Sequence, residues 1–187
     1  MPRSVRPFSA LALLVLVLAG CGAPSQPLPM VLTPADALQI RGWVPGALKA
    51  QVGVAPVKGG QATDRWWGSK VDAAALQQAL EDSLYAVGMR PPAPEPAPRF
   101  ELQAELLELE QPKLPALGVT VGVAVRYTLV DAREGGRIVY QRRIANTEDA
   151  RLGEALLSPS ERLRIANERA LRASIHLLLR DLVTLRP

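Results

Sequence analysis

The chain predicts an α/β (α+β) domain: a mixed or antiparallel sheet of about four strands with two amphipathic helices on one face, in the order β-α-β-β-β-α. Two observations carry that expectation. Apolar residues recur with period two in "FELQAELLELE" and "GVTVGVAVRYTLVD", the spacing that turns one side of a strand toward a core. Two longer segments carry helix-start signals and apolar residues three or four apart, the spacing of one helix face.

"AQVGVAPV", rich in valine, reads as the first strand. "SKVDAAALQQALEDSLYAVGM" follows, with Ser69 as its candidate N-cap, Asp72 at N3 and Gly88 as a left-handed stop. Leu76, Leu80, Leu84 and Val87 share one face of that helix. In "FELQAELLELE" the alternation through Phe100, Leu102, Ala104 and Leu106 slips to Leu107 and Leu109, and one extra residue in a bulge accounts for such a slip. "REGG" turns the next strand into "RIVYQRRIANTED", giving a hairpin. The last helix opens on "SPSE", with Ser158 at N-cap, Pro159 at N1 and Glu161 at N3, the pattern of a capping box with a preset first turn. Winding from there places Leu163, Ala170, Leu171, Ser174, Leu177, Leu178 and Leu185 in one apolar arc.

Ahead of this domain the chain changes character. Arg3 and Arg6 precede the apolar block "ALALLVLVLAG", the charged-then-apolar order of a secretory signal. The block is shorter than the roughly 20 residues that span a bilayer. It ends in Leu18-Ala19-Gly20-Cys21, which resembles the bacterial lipobox. That resemblance implies acylation of the Cys21 sulfur and cleavage before it, so residues 1–20 read as a lipoprotein signal peptide. Gly22 follows, and not the Asp that retains lipoproteins in the inner membrane of enteric bacteria. Residues 21–45 read as the acylated cysteine and a flexible tether, because "GAPSQPLPMVLTP" holds four prolines and no charge. About 20 such residues, fully extended, would reach roughly 65 Å from the membrane. Residues 46–187 are then a single periplasmic α/β domain. The five prolines of "RPPAPEPAPR" suit an extended connection inside it.

Composition narrows the function. Loss of the signal removes Arg3 and Arg6, leaving 20 basic against 18 acidic residues, a formal +2. That charge is too small to argue nucleic-acid binding. Cys21 is the one cysteine and His176 the one histidine, so neither a His-rich metal site nor a Cys-His dyad can be assembled. His176 and Ser174 project about 160° apart on a helix and cannot meet locally. "GVTVGVAV" lacks the Lys-Ser/Thr ending of a phosphate loop and reads as strand. No cofactor and no catalysis are expected.

"LAGC", "LEDSLYAVGM" followed by "FELQAELLEL", "VGVAVRYTLVD" and "ANERALRASIHLLLRDL" together resemble the small YajG-like and transport-auxiliary lipoproteins of Gram-negative bacteria. The resemblance implies an α/β domain that assists an envelope assembly or transport machine and has no catalytic site. The "PPAPEP" insertion departs from the tighter connection of those families. The expected function is a lipid-anchored periplasmic accessory protein on the inner leaflet of the outer membrane, binding an envelope protein. A lipid- or glycan-binding auxiliary component of an envelope ABC-type transport system is the alternative, and it requires an apolar groove between sheet and helices. A hydrolase would need a Ser or carboxylate site that no motif announces.

Two features suggest the partner surface. Trp66 and Trp67 are adjacent in "DRWWGS", and exposed tryptophan suits a protein interface or a headgroup layer. On the last helix, Arg162, Arg169, Arg172, His176 and Arg180 fall together opposite the apolar arc, a stripe that would attract an anionic partner.

Overall fold

The structure, a computed structural model, describes residues 24–60, 69, 71–92, 97–112, 118–156 and 158–187. Among the described residues, four α-helices and five strands fall in this order: α1 (Pro27–Met30), α2 (Pro34–Arg41), β1 (Val52–Val54), β2 (Lys58–Gly59), α3 (Ala73–Ala86), β3 (Phe100–Glu110), β4 (Val119–Asp131), β5 (Arg137–Ala150) and α4 (Pro159–Leu182). The sheet runs β1-β3-β4-β5, with β2 beside β3. It is mixed, because β1 and β2 pair parallel with β3 whereas β3, β4 and β5 form an antiparallel meander. It thus has five strands where the alternation pattern predicts about four. The extra one, β2, is two residues long and leaves too little alternation to be read. Gly59 lets it sit there: with φ at +79°, a Cβ would lie 2.2 Å from the Leu106 carbonyl oxygen.

The period-two readings hold in detail. Phe100, Leu102, Ala104 and Leu106 of β3 are buried, and the register with β4 shifts between Leu106 and Glu108. Leu107 is the extra residue, and the slip turns Leu109 to the core side. On β4, alternate residues Val119, Val121, Val123, Val125, Tyr127 and Leu129 form the buried floor. The β4–β5 turn is held by Asp131, whose buried carboxylate accepts from the Arg133 N–H at 3.0 Å and pairs with Arg99 at 2.6 Å. Hydrogen bonding from Arg99 holds that carboxyl below the usual range. The open face of the sheet is polar, with Arg126 on Glu105 at 2.8 Å and Arg143 on Glu108 at 2.7 Å.

α3 starts three residues later than its first cap signal suggests. Asp72, not Ser69, is the N-cap, accepting from the Ala74 N–H at 3.1 Å. Its stop is as read, with Gly88 at φ +80°, and Leu76, Leu80, Leu84 and Val87 are buried. α4 starts at Ser158 with Pro159 in the first turn, and the Ser158 hydroxyl accepts from the Glu161 N–H at 3.2 Å. The reciprocal half of the capping box is replaced, because Glu161 turns its carboxylate to Arg164.

The buried arc of α4 comprises Leu163, Ala166, Ala170, Leu171, Ser174, Ile175, Leu178, Leu179 and Leu182. Leu177 is 36% exposed and does not belong to it. The arc extends the other way around the helix, through Ile175 and Leu179, because a second layer covers that side.

That layer is the largest departure from expectation. Residues 24–45 are a packed strap instead of a flexible tether, and the domain begins ahead of residue 46. Thr33 caps α2, its hydroxyl accepting from the Asp36 N–H at 3.2 Å and donating to the Asp36 carboxylate at 2.6 Å, with Pro34 in the first turn. Met30, Leu32, Ile40, Val44 and Leu48 are buried in the same core as the sheet. α1 and α2 rest on α3 and α4, and the Leu32 N–H donates to the buried Ser83 hydroxyl at 3.3 Å. The prolines suggest an unfolded tether, but Pro27 and Pro34 occupy helix first turns, where proline is preorganised. The molecule therefore has three layers: sheet, the α3–α4 pair, and the strap.

Candidate functional site: the strap-facing flank of the terminal helix

α4 has 24 residues and is about 36 Å long. Glu168, Arg172, His176 and Arg180 recur every fourth position and line one flank. Ala170, Ser174 and Asp181 lie about 160° away at 100° per residue. This second flank meets the sheet. Tyr127 and Ser174 share a buried hydrogen bond of 3.0 Å, the Asn146 amide donates to the Ala170 carbonyl at 3.0 Å, and Tyr140 donates to Asp181 at 2.7 Å. Burial pushes the Tyr127 hydroxyl up from its ordinary pKa, and burial with the Asp181 hydrogen bond does the same for Tyr140.

The first flank meets the strap. The Gln26 N–H donates to the Glu168 carboxylate at 2.7 Å, and Arg172 Nε donates to the Pro29 carbonyl at 2.6 Å. Glu168 is only 3% exposed, and Arg164 compensates its charge at 2.8 Å. Further along, His176 and Arg180 join Gln39, Ile40, Trp43, Val183 and Thr184 around a cleft of about 380 Å³. Trp43 stands 75% exposed at its mouth. On the outer side of the strap, Leu28, Val31, Pro34, Leu38 and Ala86, with Arg172, line an apolar groove of about 620 Å³. Leu28 is 80% and Leu38 71% exposed there.

The five cationic positions expected to form one solvated stripe therefore separate. Arg162 is buried, 3% exposed, and its Nη1 donates to the Ala155 carbonyl at 2.5 Å. Arg169 is committed to Glu154 and to the Asp149 carbonyl at 3.0 Å, which fastens the end of β5 to the helix. Its hydrogen bond holds the Glu154 carboxyl below the usual range. Arg172 is spent on the strap backbone. His176 and Arg180 remain, in the cleft with Trp43. Cys21, Trp66 and Trp67 lie outside the described residues. Among the described residues, no three His, Cys, Asp or Glu side chains gather as a metal site, and no helix is long and apolar enough to cross a membrane.

Trp43, Leu28 and Leu38 are exposed apolar residues that the alternation and helix patterns do not single out. A signal existed: Thr33-Pro34-Ala35-Asp36 repeats the cap pattern of Ser158-Pro159-Ser160-Glu161. It marks α2 and so puts Leu38 and Arg41 on one helix face.

No family model and no curated protein matches the chain. Solved structures do. A Xanthomonas campestris protein of the DUF330 family aligns with TM-score 0.53 at 13% identity, over 75% of this chain and 90% of that one. A candidate lipoprotein of Caulobacter crescentus aligns with TM-score 0.49 at 15% identity, over 78% and 93%. A minor lipoprotein of Acinetobacter baumannii gives TM-score 0.46 at 11% identity, over 73% and 94%. The chain is thus similar in fold to the DUF330 protein of Xanthomonas campestris.

Proposed function

We propose that the chain is a lipid-anchored accessory protein of the Gram-negative envelope, held by acylated Cys21 on the periplasmic face of the outer membrane, binding a protein partner and catalysing nothing. The observation that carries this reading is Leu18-Ala19-Gly20-Cys21, closing a segment that opens with Arg3 and Arg6. Gly22 in place of Asp supports the outer membrane. The partner surface is the strap end of α4, where His176, Arg180 and exposed Trp43 surround a cleft. Exposed Trp and Arg are the residue types enriched at interface centres. A lipid carrier would use the space between sheet and helices, which Tyr127, Leu129, Leu171 and Leu178 fill, each 0% exposed.

Palmitate labelling of cells expressing wild type and Cys21→Ser, followed by density fractionation, tests the anchor. Labelled wild-type protein in the outer-membrane fraction is expected. Normal processing and membrane fractionation of Cys21→Ser would overturn the reading. A photocrosslinker at Trp43 in intact cells should trap one envelope protein, and a wild-type-like yield from Arg180→Glu would take the cleft out of the partner surface.

A further inference from the structure

We propose that the outer side of the strap, the groove and ridge formed by Leu28, Val31, Pro34 and Leu38, lies on the bilayer that carries the anchor, so that the domain sits flat against the membrane. The inference rests on the acylation of Cys21. Its own observation is where the packed chain begins. Ser25 is 4% exposed, and the Gln26 N–H is already bonded to Glu168 on α4. Four residue steps separate Cys21 from Ser25, at most about 14 Å of extended chain. A bilayer holding the acyl chains must therefore lie within that reach of the strap's first fastening point.

The strap's surface has the chemistry of that boundary. A folded domain covers its large apolar side chains where it can, yet Leu28 and Leu38 stand 80% and 71% exposed and both line an apolar groove of about 620 Å³. Arg41, three positions beyond Leu38 on α2, is exposed and has no ion pair among the described residues. A cation beside exposed leucines suits anionic headgroups over acyl chains. The strap is also the layer farthest from the sheet, since it rests on the flank of α4 opposite Ser174 and Asp181. Seating it on the bilayer turns the polar face bearing Arg126–Glu105 and Arg143–Glu108 toward the periplasm.

The test uses the mature acylated protein in phosphatidylethanolamine–phosphatidylglycerol vesicles. Acylation blocks the Cys21 sulfur, so a nitroxide can be placed on one new thiol, at exposed Ala35→Cys beside Leu38 or at exposed Gln103→Cys on the open sheet face. The label at position 35 should be shielded from an aqueous nickel relaxant and open to oxygen, and the label at 103 the reverse. Leu28→Ser/Leu38→Ser should abolish that contrast with an unchanged melting curve. Equal nickel accessibility at 35 and 103, in protein whose mass confirms the acyl chains, would overturn the inference and leave the anchor standing. A mass without acyl chains, with Cys21 itself taking up label, would instead overturn the anchor.

Discussion

The two flanks of α4 both carry polar groups and use them differently. On the sheet flank every polar group completes a bond to another element: Ser174 to Tyr127, the Ala170 carbonyl to Asn146, and Asp181 to Tyr140 and Arg142. On the strap flank, among the described residues, that holds for Glu168 and Arg172, and beyond them His176 and Arg180 open into a cleft. The difference follows from the partners. A strand presents side chains at fixed spacing along the helix, whereas the strap has two short helices, of four and eight residues, and meets α4 partly through backbone groups. The strap flank is therefore where the helix retains unused charge, and where surface remains for something outside the chain.

The largest expected effect separates the covered arc from its margin. Leu178→Asp puts a charge at a 0% exposed site between the layers and should cost about 3 kcal/mol or more. Leu177→Asp, one residue away and partly exposed, should cost about 1 kcal/mol or less. Urea unfolding of the two variants checks the pair, and equal losses would erase the boundary between arc and margin. Next in size, Met30→Ala empties a 0% exposed site under the strap and should cost about 2–5 kcal/mol. A flexible tether would leave the midpoint unmoved. By the same argument, a chain starting at Ile40 lacks Met30 and Leu32 and should melt well below one starting at Ser25.

Acid sharpens the comparison on the sheet side. The Glu154 carboxyl is held below its ordinary range by Arg169, so the pair stabilises the fold above the unfolded carboxylate pKa and is lost as pH falls through the folded one. Arg169→Gln should therefore be less stable than wild type near about pH 6, with the gap narrowing toward about pH 3 as the Glu154 carboxyl protonates. A gap that is constant with pH would mean that Arg169 acts through its bond to the Asp149 carbonyl alone. The smallest effect belongs to the open end of the strap flank. Arg180→Glu should change stability by no more than about 0.5 kcal/mol, whereas a loss comparable to Met30→Ala would show that the cleft is structural.

How much was legible varied with the kind of signal. Period-two alternation located β3, its bulge at Leu107, β4 and β5, because a strand buried on one face writes its register directly into the sequence. Ser158-Pro159 and Gly88 located helix ends, because caps depend on neighbouring residues alone. The strap is hard to read from sequence because proline has two uses, in extended chain and in a helix first turn, and Thr33 with Asp36 distinguishes them. The fate of the arginine stripe is hidden for a different reason. Angular position on a helix says which residues are neighbours, and says nothing about which other element lies over them.

The sequence by itself determined the α/β class, the meander and its bulge, and the ends of the terminal helix, all written in spacings of a few residues. Only the tertiary structure decided that residues 24–45 form a third layer, that Arg162, Arg169 and Arg172 are committed inside the fold, and that Leu28, Leu38 and Trp43 remain outside it. The contacts responsible join α4 to other segments, from the Ala155 carbonyl, seven positions from Arg162, to the Pro29 carbonyl, 143 positions from Arg172. A local pattern records what a residue needs, burial or a bonding partner, but the identity of that partner is set where distant segments pack, since many pairings meet the same local need.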